Sequence, residues 1–221
     1  MQAQALISSS IEYIHPDMNG SSALSLMDKY KIHHIAVVRD NYFEGVLSSK
    51  EIMSWNSTEE SIASHITNLA SPHVKKNQHL FDIIEILEKN SLSIVPVLDN
   101  ENHYLGVITI QKLLQTIAKS SAIQSVGGVI ILKMNNRDYS LTEIASIVES
   151  YNTKILSSYI TSKPNSTNIE LTIKLNKKDI LSIKKDFERR GYQITASYTD
   201  EEKENFDSLE RYESLMRFLN P

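Results

Sequence analysis

The stretch GVITIQKLL, Gly106 to Leu114, repeats in altered form an earlier one, GVLSSKEIM at Gly45 to Met53. Working outward from this pair, SALSLMDKY (Ser22 to Tyr30) falls on DIIEILEKN (Asp82 to Asn90) at an offset of 60. Their apolar positions coincide: Ala23 with Ile83, Leu24 with Ile84, Met27 with Leu87. The i, i+1, i+4 spacing is one face of a helix. IAVV at Ile35 falls on VPVL at Val95, still at offset 60, and such short β-branched runs suit buried strands. One inserted residue in DNENHYLG, relative to RDNYFEG, then moves the offset to 61, where Gly45 meets Gly106.

Each half therefore reads as strand, helix, strand, turn, strand, helix. The turns carry Asp40-Asn41 and Asp99-Asn100, residues that bond their own backbone and tolerate the left-handed region. One half alone exposes an apolar sheet face, and packing two together buries both.

The pattern V-P-V-x-D…G-V-I-T, preceded by D-I-I-E-I-L, resembles a CBS domain, and I-A-V-V…G-V-L-S resembles a second copy. SSSIEYIHPD and HITNLASPHV resemble the entry segments of the two copies. The resemblance implies a tandem pair of βαββα-type repeats, 1–62 and 63–125, of a kind that commonly binds adenine nucleotides in the clefts between its halves.

The chain changes character after Gly127-Gly128. VIILKM, LTEIASIVESY, KILSSYIT, NIELTIKL, KDILSIKKDFERRG and YQITASY read as strand, helix, strand, strand, helix, strand. Pro164-Asn165-Ser166 makes the hairpin loop. Leu141, Ile144, Ile147 and Val148 mark one apolar helix face; Ile180, Ile183 and Phe187 mark the other, which Gly191 terminates. This βαββαβ order is ferredoxin-like, and over residues 128–199 it resembles an ACT domain. The fold class expected is thus α+β, two CBS repeats plus an ACT-like domain, an order similar to acetoin-utilisation B-type bacterial regulatory proteins. Residues 200–221 hold seven acidic and three basic side chains. Phe206, Leu209, Met216 and Leu219 recur there at helical spacing, as in an amphipathic helix.

In nucleotide-binding CBS domains the glycine strand leads into G-V-[IL]-[TS]-x-x-D, whose hydroxyl and aspartate hold a ribose. Here those positions are Ser48 and Glu51 in one copy, Thr109 and Lys112 in the other. Glutamate can accept from a ribose diol; lysine can only donate, which suits a phosphate. The resemblance therefore puts the better ribose site at Ser48 and Glu51, and puts the base against Ile35, Ala36, Val95 and Pro96. Beside this stands a plainer reading, in which Ser48 and Thr109 cap helices and the four apolar residues are core strand.

The chain has 221 residues, no cysteine and a formal charge of -4. That excludes a disulfide framework and thiolate chemistry, and gives no general pull toward nucleic acid or anionic membranes. No run approaches the roughly 18 apolar residues of a membrane span, and the N-terminus lacks a signal-peptide pattern. The seven histidines show no chelating spacing; no metal, no required cofactor and no catalytic residue is expected. The basic run Lys177 to Arg190 suits a solvated helix face. The loop Asn135 to Ser140 lacks the glycine that amino-acid-binding ACT domains carry there, although Arg137 or Asp138 can meet an amino-acid head group.

The expectation is a cytoplasmic regulatory protein and not an enzyme. It senses an adenine nucleotide (AMP, ATP or S-adenosylmethionine), forms a homodimer and acts on a downstream protein partner. The alternatives are a non-binding scaffold and an amino-acid sensor acting through the ACT-like domain.

Overall fold

The computed structural model describes residues 1–8 and 10–199. The amphipathic tail expected at 200–221 lies outside the described residues. The chain divides into two compact units, residues 1–117 and 118–221.

In the first unit the earlier repeat contributes α1 (Gly20–Tyr30), β1 (His34–Arg39), β2 (Tyr42–Ser48) and α2 (Ser49–Met53). The later one contributes β3 (Val74–Lys75), α3 (Leu80–Lys89), β4 (Ile94–Leu98), β5 (Tyr104–Thr109) and α4 (Ile110–Ala118). The repeat extends to backbone detail. β1 and β2 are antiparallel with a register shift at Val37/Val38, and β4 and β5 with one at Val97/Leu98. Lys31 and Ser91, equivalent residues after α1 and α3, both take left-handed φ, 54° and 51°. β3 pairs parallel to β4 through Val74 and Val97; its counterpart is a single parallel bridge of Ile14 to Val37. The hairpins differ. Asp40 and Asn41 both adopt positive φ, as a two-residue primed turn requires, whereas in the longer turn Asn102 does so.

The repeated glycine has a steric cause. The segment before each repeat crosses the hairpin of the other: Ser8 bridges to Val107, and Ala70 to Val46. A Cβ on Gly45 would lie 2.6 Å from Leu69 Cβ, and one on Gly106 would lie 2.6 Å from Ile7 Cγ2. Gly106 also sits at φ +141°, which side chains rarely adopt. Bare backbone there lets the crossing segment lie flat on the sheet.

Ala23, Met27, Ile83 and Leu87 are buried, as the helical spacing predicts, and they belong to two apolar cores. The first core joins the repeats, since Ile94, Leu98, Tyr104 and Val107 pack with Ile14, Ile35 and Leu47.

The second unit follows the predicted order. It comprises α5 (Ser121–Gln124), β6 (Val129–Asn135), α6 (Leu141–Glu149), β7 (Ile155–Ser162), β8 (Asn168–Leu175), α7 (Leu181–Arg189) and β9 (Gln193–Tyr198). The strand order is β7-β8-β6-β9 and every pairing is antiparallel, which is the ferredoxin-like sheet. Ile144, Ile147, Val148, Ile183 and Phe187 fill the core between helices and sheet. Leu141 departs from the expected face: it opens the first turn of α6 and is 44% exposed. Gly191 follows α7 at φ +86°.

Candidate functional site

Within the first unit both repeats contribute to one cavity of about 490 Å³, a size typical of small-ligand pockets. Ile7, Ser8, Ser10 and Ile11 come from the crossing segment, and Tyr30 to His33 from the turn after α1. The later repeat adds Ser93, the stretch Thr109 to Lys112, and Gln115. Ile7, Ile11, Ile32 and Ile110 form apolar walls, and the charged groups among the lining residues are Lys31 and Lys112.

Thr109 ends β5 and starts α4, is buried, and accepts a hydrogen bond from the Lys112 backbone N–H at 3.0 Å. Lysine has no acceptor to return, so position 112 leaves the threonine hydroxyl hydrogen free of it. No ion pair involves Lys112 among the described residues, whereas Lys31 pairs with Asp28 at 2.8 Å.

The equivalent pair is arranged otherwise. Ser48 Oγ accepts from the Glu51 N–H at 3.1 Å. The Ser48 N–H and hydroxyl both donate to Glu51 Oε2, at 2.8 and 2.6 Å. This is a reciprocal capping box, and S-x-x-E is its sequence signature. The carboxylate expected to meet a ribose is thus turned onto its own helix, which has only five residues and depends on such a cap.

Ile35, Ala36 and Val95 are 0–1% exposed, and Pro96 is buried with the rest of β4. None of the four lines the cavity around Thr109. Their side chains are core, and the apolar surface that the cavity presents comes from Ile7, Ile11, Ile32 and Ile110.

Sequence reasoning missed a contact between the repeats. His34 Nδ1 accepts from the Ser93 N–H at 3.1 Å and lies 3.1 Å from Ser93 Oγ, which itself accepts from the His33 N–H at 3.0 Å. Two donors converging on Nδ1 select the neutral imidazole with its proton on Nε2. Burial is the largest influence and lowers the His34 pKa; the Glu51 charge opposes this, and His33 adds to it. Ser93, a lining residue of the cavity, is therefore tied to the imidazole beside Glu51. His33 and Ser93 are equivalent residues at the repeat offset of 60.

A carboxylate–histidine group also escaped the spacing rules. Asp99, Glu101 and His103 bring one ligand atom each within 4.8 Å of one another. The group is spent on its own turn. Asp99 Oδ1 accepts from the N–H groups of Glu101 and His103, and Oδ2 faces His103 Nδ1 at 3.1 Å. Lys75 Nζ sits beside it, donating to Asp99 O at 2.9 Å. In the second unit, Lys133, Asp138, Glu143, Arg190 and Tyr192 are among the residues around a cavity of about 540 Å³. Arg137 lies outside that group.

Paired βαββα repeats are each crossed by the other's entry segment and leave a cleft of about 490 Å³ at the start of the last helix. The CBS domain family model matches residues 3–57 and 63–119, just over half of the chain, and the chain belongs to that family. Similar solved structures include a CBS domain pair/ACT domain protein from Thermotoga maritima. It is 15% identical, with a TM-score of 0.48, covering 54% of this chain and 98% of that one. The CBS domains of a Streptococcus pneumoniae transcriptional regulator are 14% identical, with a TM-score of 0.45, covering 52% and 98%. The CBS domain of a bacterial CNNM/CorC family Mg2+ transporter in complex with ATP is 14% identical, with a TM-score of 0.44, covering 53% and 87%. Among the described residues no helix is long and apolar enough to cross a membrane.

Proposed function

We propose that this protein is a regulatory sensor of an adenine nucleotide, bound in the cleft around Thr109 and Lys112, and that it acts by changing shape and not by catalysis. The observation that carries the reading is the cavity itself: about 490 Å³, walled by isoleucines and edged by hydroxyls and an unpaired lysine. Apolar walls suit the faces of a base, and cationic and hydroxyl donors suit phosphate. Family membership supplies the expectation of a nucleotide. Ligand that prefers one arrangement of the repeats shifts the population toward it, and a partner protein reads the shift.

The assignment extends to the whole chain. Repeats at 1–62 and 63–125 sense; the ACT-like domain at 128–199 transmits the state or joins two copies in a homodimer. That order resembles the acetoin-utilisation B type of bacterial regulatory protein. For the ACT-like domain an amino-acid reading has one observation in its favour. The opposite charges of Lys133, Arg190, Asp138 and Glu143 around its cavity match the two ends of a zwitterion.

Thermal unfolding against AMP, ADP, ATP, S-adenosylmethionine and a set of amino acids is the test. Binding to the native state raises the midpoint by mass action, so a nucleotide should raise it progressively with concentration. A midpoint unmoved by millimolar nucleotide would leave the pair a scaffold.

A further inference from the structure

We infer that the cleft around Thr109 and Lys112 selects its ligand by phosphate charge and ignores the ribose 2′-hydroxyl. Ribo- and deoxyribonucleotides of equal phosphate number then bind it alike. The inference rests on the nucleotide reading above and goes beyond it by naming which part of the ligand is recognised.

Reading a ribose diol takes an acceptor for two hydroxyl donors, and the group suited to it is a carboxylate, which donates nothing and accepts at both oxygens. Among the described residues lining this cleft there is none. The carboxylates bonded to lining residues are already engaged. Glu12 takes the Tyr30 hydroxyl and the Lys29 ammonium, and its pKa is held down chiefly by the Lys29 bond. Asp28 holds Lys31. One of the two acceptor sites of the Thr109 hydroxyl is taken by the Lys112 N–H. Ser93 Oγ is occupied by the His33 N–H and His34. Gln111 and Gln115 keep acceptor oxygens, but these are neutral groups on long side chains, whose ordering offsets much of a hydrogen bond.

The donor side is well supplied. Lys112 stands in the first turn of α4, a helix of nine residues, where the backbone dipole adds to an ammonium's attraction for an anion. The Thr109 hydroxyl hydrogen and Ser8 and Ser10 lie in the same cleft. The cleft thus offers cationic and hydroxyl donors and, among its described lining residues, no carboxylate, a composition that fits phosphate oxygens.

Calorimetry on the full chain, in magnesium-free buffer, with ATP, 2′-deoxyATP, AMP, adenosine and inorganic tripolyphosphate decides the matter. ATP and 2′-deoxyATP should agree within about threefold, and ATP should exceed adenosine by at least about tenfold, the scale of one charge-assisted bond. Lys112→Gln should weaken ATP and 2′-deoxyATP by the same factor, about tenfold, and leave adenosine unchanged. A preference for ATP over 2′-deoxyATP above tenfold overturns the inference while leaving the nucleotide reading intact. Tripolyphosphate binding as tightly as ATP keeps the charge selection and removes the nucleoside from the reading. Silence of all five overturns both.

Discussion

Ser48 and Thr109 hold the same place in their repeats, at the end of a hairpin strand and the head of the helix that follows, yet their surroundings diverge through one residue. Three positions on, Glu51 bends back to accept from Ser48, whereas Lys112 has nothing to accept with. The first repeat spends its polar atoms on closing a short helix. The second leaves a cation and a hydroxyl facing a cavity. Duplication supplied two equivalent strand-to-helix junctions, and the chemistry of one position made them unequal. A carboxylate near a cleft is a ligand-binding group only when its own helix does not need it.

The largest effects should come where the repeats are still alike. Gly106→Ala combines a left-sided φ of +141° with a contact of 2.6 Å to Ile7 Cγ2. Gly45→Ala meets Leu69 Cβ at 2.6 Å and Ala70 O at 3.0 Å from a relaxed backbone. Each should cost about 1–3 kcal/mol in urea unfolding, by strain at Gly106 and overpacking at Gly45. Equal stability of both variants and the parent would mean that the crossing segments are not seated as described.

Next come the caps, where the repeats differ. Ser48→Ala should cost about 1 kcal/mol, and Thr109→Ala less than that, because only the serine has its bond returned. The reverse order, read from the same denaturation curves, would contradict the asymmetry. A sharper probe converts one repeat into the other. Lys112→Glu recreates S/T-x-x-E at Thr109 and places an acid in the first turn of α4, so stability should rise by about 0.3–1 kcal/mol. The same change should abolish binding of ATP. Tighter ATP binding in that variant would assign ribose recognition to this position after all.

The smallest effect concerns the tie between repeats. Burial lowers the His34 pKa below its ordinary 6.5, so the folded state prefers the neutral ring. The unfolded chain then binds more protons in this range, and stability rises with pH. The contribution is complete above about 6.5 and is lost as pH falls through the lower folded value. Unfolding midpoints should therefore decline from pH 7 toward pH 5, and His34→Gln should flatten that decline. A slope unchanged by the substitution would place the proton uptake elsewhere.

Much of this architecture was legible in the chain. The matched offsets of Ala23 with Ile83, Val37 with Val97 and Gly45 with Gly106 determined two equivalent halves, because helix, strand and close backbone approach each restrict residue type at fixed spacing. The ferredoxin-like order was equally readable, since its helices and strands carry distinct periodicities. What only the tertiary structure decided was the use of each polar atom. Glu51 and Lys112 look like two versions of one ligand position; S-x-x-E allows a capping box, and the structure shows Ser48 N–H and hydroxyl both donating to Glu51. Ile35 and Val95 lie on the strands where the resemblance puts a base, and burial assigns their side chains to the core. Ile7 and Ile11 enter the cleft beside the crossing that bridges Ser8 to Val107, and Ser93 enters it through its contacts with His33 and His34 of the other repeat. Periodicity records which face of an element is buried. Beyond local caps such as S-x-x-E, which donor meets which acceptor depends on distances set by packing, as between His34 and Ser93.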